Sequence, residues 1–372
     1  MAKSSKRKAT VKAARPRKRA ARARAPEAGP VTLAQARALA QGPRPRRAPR
    51  RALVAAASPG TVGAERKKLA LKQREEIARR IEEYKATLTI MKKRGVKGLG
   101  TAAGPSAKRR APGAKAAPKA PATKPLQVFA EGDSWFDYPA PFFGGSIVPR
   151  LEKHLGVPIL NLAKAGDEVR YMLGVAERKL LTAQLKKGCP AGGPWDVLLF
   201  SGGGNDIVDN PMALWIKDFD PSIPPTKPER HIFQTRFDAV LALVRAGYED
   251  LIGLRDELSP TTHLVFHAYD FAIPDGRGIC HLGPWLKPTL DLRKFPPAAA
   301  AAVVKAMLEQ FAAVLASLED PQRKTTVIKS QGTLVPQASS WHNELHPSKK
   351  GFDAFAVLFH ASLKALFPGR VL

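Results

Sequence analysis

The sequence has 372 residues, which is enough for one folded domain with extensions, because single domains usually hold about 100 to 250 residues. Residues 1–125 hold 35 of the 61 basic residues and 6 of the 32 acidic ones, and they therefore carry the whole formal net charge of +29. Residues 126–372 hold 26 of each kind and are neutral. This distribution argues against a nucleic-acid-binding domain in the C-terminal part, and binding of nucleic acid or another polyanion is expected only of residues 1–125.

The composition argues against several other classes of protein. Cys189 and Cys280 lie far apart without a CxxC spacing, so we expect buried thiols and neither a disulfide framework nor a zinc site. No metal and no cofactor is predicted. No apolar run approaches the roughly 18 residues of a membrane span, and the N-terminus lacks the apolar core of a signal peptide. We therefore expect a cytoplasmic protein.

The N-terminal third divides into three segments. Residues 1–63 consist mainly of Ala, Arg, Lys and Pro, and we expect a disordered basic arm because so few apolar side chains cannot offset the ordering entropy. Residues 64–94 predict one amphipathic helix, because apolar residues recur at steps of four and three. These residues are Ile77, Ile81, Tyr84, Leu88 and Met91. The seam covers only about two heptads, so docking, weak dimerisation and a solvated charged helix are all consistent with it. Residues 95–125 predict a linker rich in Pro, Ala and Lys.

Residues 126–372 alternate short apolar runs with helical patterns, which is typical of βα units on a parallel sheet. Strands are predicted at 126–130, 157–162, 195–200, 263–270 and 325–330. Helices are predicted at 146–155, 168–187, 235–258, 297–318 and 348–366. The expected fold class is α/β, a three-layer α/β/α domain with a five-stranded, parallel, doubly wound sheet of the flavodoxin-like type. Such domains bind ligands at the carboxyl ends of their strands.

Four motifs follow successive predicted strands or precede the last helix. The segment Gly132–Trp135 places the hydroxyl of Ser134 at a strand-to-loop corner, although such a tripeptide alone is more often a turn or a helix cap. Gly166 follows the second strand, where glycine lets the backbone approach a ligand. Asn205 follows a glycine run after the third strand, and no Gly-Lys-Ser/Thr follows that would indicate a phosphate loop. His346 is a candidate base near the C-terminal helix.

This ordered set of Ser, Gly, Asn and His resembles the SGNH hydrolase family, also called GDSL-type, over about residues 126–366. The resemblance implies a serine esterase or acyl hydrolase in which Ser134 is the nucleophile and His346 its base. It also implies an oxyanion hole formed by the backbone N–H groups of Ser134 and Gly166 and the side chain of Asn205. A small-molecule or lipid ester is the expected substrate, and an acyltransferase would use the same chemistry.

One position departs from the family pattern, since Asn343 stands where the family has an aspartate three residues before the histidine. An amide oxygen accepts an imidazole N–H in only one of the two amide orientations, and it cannot stabilise imidazolium by charge. Asn343, the carboxylate of Glu344 and a backbone carbonyl are therefore all candidates for the third catalytic member. A weakly active or inactive hydrolase-like domain attached to a polyanion-binding arm is the alternative function.

Two long insertions fall at predicted strand ends, residues 207–232 and 274–297. Loops longer than about 12 to 15 residues are usually functional or disordered in compact domains. We predict that Trp215, Phe219 and Trp285 form a substrate wall that favours an acyl or aryl group. The alternative is that these loops only cover the edge of the sheet.

Overall fold

The computed structural model describes residues 30–41, 59–96, 124–138, 145–279 and 283–371. For residues 59–69 it describes the backbone only. Most of the basic arm, most of the predicted linker and Cys280 lie outside the described residues.

Five parallel strands form one sheet in the described part of the chain. They are β1 (Val128–Gly132), β2 (Ile159–Asn161), β3 (Val197–Ser201), β4 (His263–His267) and β5 (Thr325–Ile328). The strand order β2-β1-β3-β4-β5 is the flavodoxin-like order, which confirms the predicted fold class. Every residue of β1 and β3 is buried, because helices cover both faces of the sheet, and their sequences are therefore almost continuously apolar.

Helices precede the sheet and pack on both of its faces. They are α1 (Leu33–Gln41), α2 (Pro59–Lys93), α3 (Ile147–Leu155), α4 (Val169–Met172), α5 (Val175–Lys187), α6 (Gln234–Leu258), α7 (Lys287–Leu292), α8 (Pro297–Ala316) and α9 (Lys349–Leu366). Helix α3 packs against α9, whereas α4, α5 and α8 pack against α6. The single helix predicted at 168–187 is two helices, because the backbone is extended at Gly174.

The N-terminal helices α1 and α2 pack against each other, and α2 lies beside the edge strand β2. Helix α1 falls inside the segment that was expected to be disordered, and α2 begins at residue 59 instead of 64. The composition of residues 1–63 does not reveal α1, because the contacts that stabilise this helix come from other parts of the chain. Leu33 and Ala36 are buried, and Arg37 forms a bidentate ion pair with the buried Glu152.

The apolar seam of α2 docks on the domain, which is one of the three alternatives that the sequence allowed. Four residues of the predicted seam are buried and one, Ile81, is half-buried. The ring of Tyr84 lies 5.7 Å from that of Trp195, and its hydroxyl lies 3.4 Å from Sγ of the buried Cys189.

One helix in the described part of the chain, α8, is long and apolar enough to cross a membrane by length and composition. No such segment was predicted from the sequence, because no uninterrupted apolar run approaches about 18 residues; Lys305 and Glu309 lie within this one. The inner face of α8 is buried in the domain core through residues such as Val303, Phe311 and Leu315. Helices in the cores of globular domains commonly have this composition.

Candidate active site

The corner that carries Ser134 is held by β1 and β3. The N–H of Asp133 donates to the carbonyl of Ser201 at 3.0 Å, which extends the strand pairing by one residue. A Cβ at Gly132 would lie only 2.5 Å from that same carbonyl oxygen, so glycine is required by the close approach of β3. The Asp133 carboxylate accepts the N–H of Trp135 at 3.0 Å, and this Asx-type bond turns the chain directly after the strand.

His346 faces the hydroxyl that ends this corner. Its Nε2 lies 2.7 Å from Oγ of Ser134, and its Nδ1 lies 2.9 Å from Oδ1 of Asn343. The loop that carries the histidine closes on itself, since the N–H of His342 donates to the His346 carbonyl at 2.8 Å. Three side chains that the sequence placed at one edge of the sheet therefore form a hydrogen-bonded chain.

The orientation of the Asn343 amide follows from its neighbours. Its Oδ1 accepts the backbone N–H groups of Leu345 at 3.0 Å and His346 at 2.9 Å, and only an oxygen can accept both. Its Nδ2 donates to the hydroxyl oxygen of Tyr138 at 3.1 Å, and that hydroxyl lies 2.7 Å from Nδ1 of His342. Asn343 therefore presents an acceptor to His346, which places the imidazole proton on Nδ1 and leaves Nε2 as the acceptor facing Ser134.

Glu344, the other side-chain candidate for the third member, is used elsewhere. It is fully buried, and its two oxygens accept four backbone N–H groups of the second insertion at 2.6 to 3.0 Å. The donors are Gly276, Trp285, Leu286 and Lys287. This carboxylate anchors the insertion and does not support the histidine.

The imidazole of His346 lies in an apolar enclosure. The ring of Tyr138 stacks on it with centroids 4.2 Å apart, and the ring of Trp285 approaches edge-on at 5.8 Å. Burial, followed by the neighbouring His342, lowers the pKa of His346 to about 3. The ring is therefore neutral at physiological pH and free to accept a proton.

The two other predicted oxyanion donors lie on neighbouring loops. Asn205 lines the same cavity as Ser134, and its Nδ2 donates one hydrogen to the Asp167 carbonyl at 2.8 Å. Gly166, next to Asp167, has a φ of +83°, a conformation that favours glycine. The backbone N–H groups of Ser134 and Gly166 have no acceptor among the described residues. The bond from Asn205 to Asp167 thus connects the loop that carries Gly166 to Asn205. Gly166 itself does not line the cavity.

A mainly apolar cavity of about 40 Å³ opens beside Ser134. Its apolar walls come from the loop after β3, from the start of α7 and from α8. They include Ile207, Val208, Leu286, Val304, Met307 and Leu308. The α8 residues were not predicted to line the site, because an apolar helix face that lines a cavity has the same sequence pattern as one that packs in a core.

The predicted substrate wall is only partly at this site. Trp285 contacts His346, as described above, but Trp215 and Phe219 do not line the cavity. Trp215 is buried against Phe237, with ring centroids 6.0 Å apart, and Phe219 stacks on His231 at 5.5 Å. The structure places these two residues away from the cavity, because Trp215 packs into the domain core beside α6 and the half-buried Phe219 packs on His231 and Phe295.

No protein-family model and no curated protein matches this chain. Among solved structures, the chain is similar to a lipase from a goat rumen metagenome, with 18% identity, 64% of this chain and 97% of that chain covered, and a TM-score of 0.42. It is similar to a carbohydrate esterase family 3 protein from Talaromyces cellulolyticus, with 10% identity, coverage of 65% and 97%, and a TM-score of 0.39. It is also similar to a member of the lipolytic protein G-D-S-L family from Veillonella parvula, with 16% identity, coverage of 63% and 95%, and a TM-score of 0.36.

A second polar group lies beneath the nucleophile and was not predicted from the sequence. The buried carboxylate of Asp133 accepts hydrogen bonds from the hydroxyls of Tyr269 and Ser201, the latter at 2.9 Å. The Ser201 hydroxyl in turn lies 2.9 Å from Nε2 of His267. Burial raises the pKa of Asp133 to about 6 and lowers that of His267 to about 4. These side chains come from three different strand ends, so their contact depends on the sheet.

Proposed function

We propose that this protein is a serine hydrolase that cleaves a carboxylic ester through an acyl-enzyme. The observation that carries the proposal is the chain from Oγ of Ser134 to Nε2 of the neutral His346, at 2.7 Å, and from its Nδ1 to Asn343, at 2.9 Å. A serine is activated as a nucleophile when its hydroxyl hydrogen-bonds a base and a third group orients that base.

In the proposed reaction, His346 takes the proton of Ser134 while Oγ attacks the ester carbonyl carbon. The N–H groups of Ser134 and Gly166 and the Asn205 amide donate to the resulting oxyanion, and one such donor is typically worth about 2.7 to 4 kcal/mol. An amide nitrogen has two hydrogens, so Asn205 can bind the Asp167 carbonyl with one and the oxyanion with the other. His346 then protonates the departing alcohol, and water releases the acyl group by the reverse steps.

We propose an ester with a short apolar acyl group as the substrate. The cavity beside Ser134 measures about 40 Å³, and a water-sized occupant requires roughly 10 to 15 Å³ by the same measure. The cavity therefore has room for a chain of about three heavy atoms. Its walls are mainly apolar, which favours an acyl chain over a sugar ring.

The test is hydrolysis of 4-nitrophenyl butyrate combined with labelling by a fluorophosphonate probe. Ser134→Ala should lose both hydrolysis and labelling, because the attacking oxygen is removed. Ser362→Ala is the control, since this serine lies on α9 and hydrogen-bonds the Leu358 carbonyl at 2.9 Å. Undiminished hydrolysis by Ser134→Ala would overturn the proposal.

Transfer of the acyl group to an alcohol is the same chemistry with a different acceptor. Adding a short alcohol to the assay and analysing the products distinguishes the two activities. A hydrolase yields mainly the free acid, whereas an acyltransferase yields the new ester.

A further inference from the structure

Two loops must keep a defined distance for the proposed oxyanion hole to work. The nucleophile loop, residues 133–138, follows β1, and the glycine loop, residues 161–168, begins at the last residue of β2. Backbone pairing between them ends with the bond from the Lys164 N–H to the Gly132 carbonyl, at 2.8 Å. Beyond this point, Gly166 is exposed, and a Cβ added to it would have no atom within 4 Å.

Helix α2 adds a second connection, besides the bond from Nδ2 of Asn161 to the Phe136 carbonyl at 2.8 Å. Nη2 of Arg80 donates to Oδ1 of Asp137 in the nucleophile loop at 2.6 Å, and Nη1 donates to the Ala163 carbonyl in the glycine loop at 2.9 Å. The other oxygen of Asp137 accepts the N–H of Ala165 at 3.3 Å. One guanidinium and one carboxylate thus join the two loops one residue before Gly166.

We propose that Arg80 is a positioning residue of the active site, so that the N-terminal helix α2 is a working part of the hydrolase. This inference rests on the proposed function. The planar guanidinium holds two acceptors at a fixed separation, which a flexible point charge cannot do. A shift of one oxyanion donor by about 1 Å is enough to lower a rate by up to about 100-fold. The effect is expected on kcat, because the oxyanion exists only after substrate has bound.

The adjacent residue provides a matched control. The side chain of Arg79 is 58% exposed, against 22% for Arg80, and Arg79 forms ion pairs with Glu76 and Glu83 of the same helix. Arg79→Ala therefore removes the same charge from the same helix without touching either loop. Arg80→Ala should lower kcat by roughly 10-fold or more with KM unchanged, whereas Arg79→Ala should leave both constants unchanged. Arg80→Lys keeps the charge and should restore kcat only in part.

Each rate is divided by the number of active sites, which is counted by fluorophosphonate labelling of Ser134. The melting temperature of each variant is measured in parallel. This separates a loss of folded protein from a loss of turnover. An Arg80→Ala protein with a lower melting temperature but a full rate per labelled site would overturn the inference and leave the proposed function intact. If Arg80→Ala does not fold, an Arg80→Lys protein with the full rate per labelled site would likewise overturn the inference. A wild-type protein that neither hydrolyses the ester nor labels would overturn both.

Discussion

Asn343 stands three residues before His346, where the resemblance to SGNH hydrolases implies an aspartate. In serine proteases with a Ser-His-Asp triad, the change of Asp to Asn lowers the rate by about 10⁴ because the wrong imidazole tautomer is held. Here the backbone N–H groups of Leu345 and His346 turn the amide oxygen toward the imidazole, so the correct tautomer is favoured. What the amide lacks is the negative charge that would stabilise imidazolium.

Asn343→Asp should therefore raise the pKa of His346 from its low value of about 3. Neutral His346 is the active form, so kcat/KM falls as the pH drops through this pKa. We expect the acid limb of the profile near pH 3 in the wild-type protein and at least about one unit higher in Asn343→Asp, with kcat raised roughly 10-fold at pH 8. The measurement is kcat/KM for an aryl ester between about pH 2 and 9, so that both sides of the acid limb are covered.

The control for this change is Asn210→Asp, which adds the same charge at an exposed position. Its acid limb should coincide with that of the wild-type protein. An acid limb that did not move in Asn343→Asp would show that the carboxylate does not interact with the imidazole.

At the scale of elements, α8 closes the cavity next to the nucleophile. Met307 lines the cavity, whereas Glu309 on the same helix is exposed. Met307→Ala should shift the preferred acyl chain from about four carbons to six or more, because removing the thioether side chain lengthens the cavity. It should also destabilise the protein by about 2 to 5 kcal/mol, as buried Met-to-Ala changes do.

The measurement is kcat/KM for 4-nitrophenyl esters from acetate to octanoate, with Glu309→Ala as the control. The control should keep the chain-length profile of the wild-type protein. An identical profile for Met307→Ala would mean that the acyl group does not enter this cavity.

The strands and most helices were predictable from the sequence, and the predictions that failed have physical causes. All five strands occur where apolar runs predicted them, because strands buried on both faces have almost continuously apolar sequences. The second insertion was predicted to line the site, and Trp285 does contact His346 there. The first insertion does not, because Trp215 is buried in the domain core beside Phe237 of α6, where a large apolar ring is more stable than in an exposed wall.

In the whole molecule, the basic arm and the candidate active site lie in different segments of the chain, and α2 lies between these segments. Residues 1–29 contain 11 basic residues and one acidic residue, whereas residues 126–372 are neutral. We expect the protein to bind double-stranded DNA or another polyanion through the basic arm, with an affinity that falls steeply as salt is added because bound counterions are released.

Deleting residues 1–29 should weaken binding to a 20-base-pair duplex and flatten the slope of log K against log salt concentration. The expected slope is about −0.9 for each phosphate contacted. Hydrolysis should be unchanged by this deletion, since α1 and α2 are retained. Binding that does not depend on salt would contradict a role for the arm, and binding that survives the deletion with the same slope would contradict a role for residues 1–29.

The α/β class and the meeting of the four candidate residues at one edge follow from the sequence pattern, because parallel strands connected by helices end at the same side of a sheet. The orientation of Asn343, the partners of Glu344 and the position of α2 are visible only in the folded protein. These features depend on contacts between distant residues: Asn343 and Tyr138 are 205 positions apart, and Arg80 and Asp137 are 57 apart. Local patterns report burial and backbone preference, whereas a hydrogen bond between distant side chains forms only after the sheet has brought them together.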